Sequence, residues 1–241
     1  MVLARHLYKR IMRRGRVIGL LALSAVSGLV YWLAGFDAGE RELPGLYTDI
    51  VASVGYTYAI AALILTTATL RDERDSGTLP YIYMRPLPRV SMAAQSMLAG
   101  MAAALVIGIG GWIAGIVSSL AVGDASIALS SWTLFAAAGI GYAAIFVPLG
   151  YLVPRSLLVG LGYILVVETI LANVVTGLAQ FSIWRIALSI YAGVEDQFGN
   201  AATDSLGPVT PGVGGGVVKL VIVIVIGLGT LTWALKRRDA L

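Results

Sequence analysis

Arg71-Asp-Glu-Arg-Asp-Ser-Gly-Thr-Leu-Pro-Tyr-Ile-Tyr-Met-Arg-Pro-Leu-Pro-Arg89 separates two long apolar runs, and the order of its residues decides how those runs are joined. Gly77 takes a left-handed conformation at little cost and can stop the helix that precedes it. Thr78 can cap a new helix, Pro80 is tolerated in a first turn, and Pro86 biases Arg85 out of helical geometry. The spacing predicts a helix of about two turns. It carries Leu79, Ile82, Tyr83 and Met84, too many apolar groups for a solvated turn. It is also too short to cross a bilayer, which takes ~20 residues. Headgroups or another protein must cover its surface.

Working outward, six apolar runs at 17–35, 50–70, 92–122, 132–153, 157–181 and 217–235 are each near or above spanning length. If they cross a membrane in turn, 14 of the 17 Lys and Arg residues share one side: six between Arg5 and Arg16, four between Arg71 and Arg89, Arg155 alone, and three from Lys236 to Arg238. The alternate segments hold only Arg41, Arg185 and Lys219. Cytoplasmic loops are the ones enriched in Lys and Arg, so the expectation is a multi-pass cell-membrane protein with both termini cytoplasmic. Composition agrees: of 241 residues 58% are apolar and 12% charged, which leaves residues 1–241 as a single membrane domain without room for an ordinary soluble one. The first run exceeds the 7–15 apolar residues typical of a signal-peptide core and is expected to persist as a helix.

Net charge is +4, but the basic residues flank apolar runs rather than decorate a folded module, which favours lipid phosphate as partner and argues against nucleic acid. The chain has no cysteine, so disulfides and thiolate chemistry are excluded.

Residues 1–16 read as an amphipathic interfacial helix. Leu3, Leu7 and Ile11 recur at helical spacing while Arg5, Lys9, Arg10, Arg13 and Arg14 occupy the remainder, an arrangement suited to lying on headgroups. Between the fifth and sixth runs, Ile183, Ile186, Ala187 and Ile190 predict a short external helix, re-entrant or on the surface, with Trp184 and Tyr191 suited to the interface. Gly212-Val-Gly-Gly-Gly216 reads as a flexible entry to the last crossing. Pro148 and Pro154 are expected to kink or stop the fourth.

Within the fifth run, Thr169, Asn173, Thr176 and Gln180 fall on one face of an α-helix and should meet another helix or a water-filled path. Glu168 is the one ionisable side chain well inside an apolar run, and its burial costs about 2.5–3.5 kcal/mol unless it is neutral or paired. Two readings follow: an acid hydrogen-bonded to a Tyr, Ser or Thr on a neighbouring helix, or a contact for a cationic or hydrogen-bonding part of a substrate.

Enzymatic chemistry lacks its parts. None of Lys9, Lys219 and Lys236 stands in a phosphate-loop context, so no ATP site of that kind is present. His6, the single histidine, lies in the basic helix away from any intramembrane Ser, and no His-Glu-x-x-His, paired intramembrane Asp or Cys/His cluster exists. The expectation is no catalytic residue, no metal site and no cofactor in this chain.

Glu73, Gly77, Thr78 and Leu79, followed by Pro86 and Arg89, fit in order the Glu-x-x-x-Gly-Thr-Leu then Pro-x-x-Arg pattern, and here the chain resembles ATP-binding-cassette transporter permeases of the second type, the six-helix exporter class. Pro80 and Ser96 depart from that pattern, where a helix former and a Lys are usual. The resemblance implies an all-α permease with an N-terminal elbow helix, a cytoplasmic coupling helix and external helices between crossings five and six. It implies docking on a separate ATPase, which holds ATP and Mg, through Glu73, Gly77, Thr78, Leu79, Ile82, Tyr83, Pro86 and Arg89. It also implies pairing with a second permease chain, identical or different, and places Glu168, Thr169, Asn173, Thr176 and Gln180 beside the substrate pathway. Two other readings stay open: a six-helix substrate-binding component of an uptake system, and a non-transporting membrane assembly protein.

Overall fold

The computed structural model describes residues 2–36, 43–78, 87–122, 130–171, 181–197 and 212–237. Among them the chain is all-helical: α1 (Val2–Ile11), α2 (Arg14–Ser24), α3 (Val26–Gly35), α4 (Leu43–Val54), α5 (Tyr56–Asp75), α6 (Arg89–Val122), α7 (Trp132–Leu152), α8 (Ser156–Tyr163, continued as a π-helical stretch over Ile164–Leu171), α9 (Ile183–Gln197) and α10 (Gly212–Arg237). Four of the described helical stretches are long and apolar enough to cross a membrane, with α2 and α3 together forming one of them, and the bent pair α4–α5 makes a fifth.

The hub is α7. It packs against α5, α6, α9 and α10, and its face from Leu134 to Tyr151 is buried. Small residues set how closely its neighbours approach. Pro148 has no N–H to give the Ala144 carbonyl, and a Cβ at Gly227 of α10 would overlap that same oxygen, so α10 seats directly over the gap that proline leaves. The helix continues through Pro148 and stops at Val153, the extended residue before Pro154. Gly111 and Gly115 of α6 likewise admit Phe135 and Tyr47 at close range.

Outward faces are apolar. Leu33, Val117, Leu158 and Val225 are exposed, the inverse of a soluble bundle and compatible with a multi-pass protein whose solvent is lipid.

Several sequence expectations change. The second run is not one helix over 50–70 but two, α4 and α5, bent by about 40° at Gly55. The fifth run, expected as one α-helix over 157–181, starts as α8 and widens into π geometry from Ile164, and residues 172–180 of that run lie outside the described residues. The expected external helix is α9, but Trp184 and Tyr191 are buried rather than interfacial, because α9 packs against α7 and α10. The glycine entry to the last crossing is helical from Gly212: Gly216 lies against Ile190, and Gly193 against Val213, so these glycines let α9 and α10 touch. The apolar stripe of α1 is covered by protein, since Leu3 and Leu7 join Leu70, Met92, Met97 and Leu231 in one buried cluster. Headgroups do not reach that side of the helix.

Candidate functional site

Helix α5 ends in a glycine-terminated turn. Gly77 has φ +70°, its N–H donates to the Arg74 carbonyl at 3.1 Å, and the Thr78 N–H donates to the Glu73 carbonyl at 3.0 Å. These two bonds define a Schellman stop, which satisfies carbonyls that would otherwise be orphaned. Thr78 therefore closes the old helix; the new helix it was expected to cap falls among residues outside the description.

Glu73 sits one turn before the stop and is 1% exposed. A carboxylate so buried needs partners, and α1 supplies them. Arg10 Nη1 is 2.8 Å from Glu73 Oε2, and His6 Nε2 is 3.3 Å from Glu73 Oε1. The Thr78 hydroxyl donates to the same carboxylate. Arg10 then spreads across the end of α5: Nη2 donates to the Asp72 carbonyl at 3.2 Å and to Ser76 Oγ at 2.7 Å, and Nη1 to Thr78 Oγ1 at 3.3 Å. A guanidinium beside the last carbonyls of a helix also complements the helix dipole. Arg16 pairs with Asp72 at 3.1 Å, and Arg74 Nη1 donates to the Tyr151 carbonyl at the end of α7 at 3.0 Å.

The basic N-terminal helix is thus a clasp on α5. Of the expected docking residues, the structure brings Glu73, Gly77 and Thr78 together, while Arg89 starts α6 and donates to Met92 Sδ at 3.2 Å. Leu79, Ile82, Tyr83 and Pro86 lie outside the described residues. Sequence reading missed His6, Arg10, Asp72, Arg74 and Ser76 as members of the cluster. The one available signal was Arg10's place three residues after Leu7, at the edge of the apolar stripe, where a charge points toward whatever the stripe covers.

A second polar cluster surrounds Glu168, which is 0% exposed. Its carboxylate accepts from Tyr163 Oη at 2.9 Å, from the backbone N–H of Ile183 at 3.0 Å and of Trp184 at 3.2 Å, and from the Ser182 hydroxyl. All four are donors, so both oxygens act as acceptors at the first turn of α9, as a capping residue's would. Tyr56 Oη donates to the Glu168 carbonyl at 3.0 Å, which ties α5 to the same point. Of the expected pathway residues, Glu168 faces inward while Thr169 is exposed and donates to the Ile164 carbonyl at 3.3 Å. Asn173, Thr176 and Gln180 lie outside the described residues. Among the described residues no group of His, Cys, Asp and Glu is arranged to hold a metal ion.

No family model matches the chain, and no curated protein matches it.

Proposed function

We propose that this chain is the permease subunit of an ATP-driven exporter of the second type. In this reading it makes six crossings of the cell membrane, keeps both termini in the cytoplasm, and works as a dimer, homo- or heteromeric. ATP and Mg bind and are consumed on separate ATPase chains. The chain itself contributes neither cofactor nor catalytic residue, and its non-protein partner is membrane lipid.

The observation that carries the reading is the end of α5. Its Glu-x-x-x-Gly-Thr stretch stops in a glycine turn whose buried glutamate is held by Arg10, so the end of α5, from which the coupling segment begins in this reading, is tied to α1. A segment meant to receive force from another chain needs such a foundation. A segment that only turns the chain around does not need a buried carboxylate at the helix end that precedes it, where each unpaired charge would cost several kcal/mol.

Mechanically, closure of the ATPase chains displaces residues 79–88, and the second and fifth apolar segments carry the displacement across the bundle in alternating access. Glu168, Thr169, Asn173, Thr176 and Gln180 belong to the fifth segment and lie beside the pathway in this scheme, with Glu168 holding the outer helix rather than meeting cargo directly.

The test is purification from native membranes with partners retained. A stoichiometric ATPase supports the exporter. A tightly held small molecule without ATPase would favour a substrate-binding component, and neither would favour an assembly protein.

A further inference from the structure

Helix α4 gives way to α5 at Gly55 without a proline nearby, so the bend needs another cause. That cause sits in the notch. A Cβ at Gly55 would overlap Cζ2 of Trp184 and the Val51 carbonyl oxygen, so the indole occupies the space a side chain would fill. In an unbroken helix the Ala52 carbonyl accepts from Tyr56 N–H. Here it accepts from Trp184 Nε1 at 3.2 Å, and the helix resumes with a tighter bond from Tyr58 N–H to the Gly55 carbonyl at 2.9 Å. The indole therefore fills the notch and satisfies the carbonyl that bending releases.

The wedge is buttressed from behind. Trp184 is 0% exposed, its ring lies 5.8 Å from that of Tyr56, and its backbone N–H donates to the Glu168 carboxylate. Tyr56 returns to the Glu168 carbonyl, which closes a ring of contacts through α5, the π-helical stretch and α9. We propose that Trp184 is the positioning residue that sets the bend at Gly55 and fastens α9 to α4–α5, so that these helices move as one body. The inference concerns one end of the bundle and holds whether or not an ATPase docks at the other.

The natural absence of cysteine allows a direct test by pulsed electron paramagnetic resonance on the full chain in lipid nanodiscs. Labels go on Asp49→Cys in α4, paired in turn with Val117→Cys in α6 and Val218→Cys in α10, all exposed positions. Asp49 is six residues from Gly55, an arm of ~9 Å, so releasing the 40° bend swings it by about 6 Å. With Trp184 intact both distance distributions are narrow. In Trp184→Ala at least one shifts by about 2 Å or more, or broadens by as much. Gly55→Ala, which expels the indole from the notch, should change the same distribution, and the double variant should match Trp184→Ala alone. Distributions in Trp184→Ala that superimpose on the parent's overturn the proposal. If Trp184→Ala is not monodisperse, Trp184→Phe and Gly55→Ala decide by the same criterion, and unchanged distances in both overturn it.

Discussion

Arg10→Ala removes the main counter-charge of the buried Glu73 carboxylate and leaves that charge beneath the end of α5 without its guanidinium. Glu73 is 1% exposed and Arg10 25%. Breaking a buried pair by deleting one partner costs about 3–5 kcal/mol. The quarter exposure of Arg10 and the presence of His6 at 3.3 Å reduce this, to about 2–3 kcal/mol against α1 docking and the α5 stop. The Gly77 and Thr78 amides report that stop, because each is bonded only while the turn is closed. Hydrogen–deuterium exchange in nanodiscs should therefore accelerate about 30-fold to 140-fold at those amides, at tenfold per 1.4 kcal/mol. Amides in the middle of α7 should be unmoved. Arg10→Lys keeps the charge but loses the fork that reaches Asp72, Ser76 and Thr78, and should fall between parent and alanine variant. Unchanged exchange at residues 77 and 78 in Arg10→Ala would refute the clasp.

Other outcomes follow from single sites. Gly77→Val forces a β-branched residue to φ +70°, at a cost of about 1–2 kcal/mol or more; on the exporter reading it should leave ATP hydrolysis by the partner running while transport falls, and Gly77→Asn, which tolerates that conformation, should retain coupling. Glu168→Gln turns an acceptor toward its donors into an amide N–H₂, costing about 1–3 kcal/mol; the thermal transition in detergent should drop and, on the exporter reading, transport should decline while subunit assembly persists. Gly227→Ala places a methyl group on the Ala144 carbonyl and should destabilise by about 1–3 kcal/mol, read as a lower melting temperature, with the longer Gly227→Val worse still.

Local signals in the chain announced the elements well. Gly77 was legible because only one residue type accepts its backbone angle freely, and the ends of α7 were legible because Val153 precedes Pro154. The third, fourth and sixth apolar runs located α6, α7 and α10 to within about five residues, but neither the π geometry within the fifth run nor the break at Gly55 within the second was legible, since an isolated glycine in an apolar run carries no local sign of a bend. That sign lay 129 positions away, in Trp184. The same limit hid the clasp: Arg10 and Glu73 are 63 residues apart, and no periodicity joins them. Glu168 was conspicuous as a buried acid, but its partners Ser182, Ile183 and Trp184 come from the start of another helix, so its place was legible and its role was not. The interfacial reading of Trp184 and Tyr191 failed because amphipathic rings suit a bilayer surface and a packed interior equally, and tertiary contact decides between them.

Helix α5 runs 20 residues without interruption from the Gly55 bend to the Arg10 clasp. At 1.5 Å per residue that is a rod of ~30 Å, wedged by Trp184 at one tip and gripped by Arg10 at the other. Swinging it by ~10° carries the gripped tip through about 5 Å, roughly the rise of one helical turn. If α4, α5 and α9 turn together as proposed, a modest rotation at one face of the bundle and a displacement of about one helical turn at the other are the same motion.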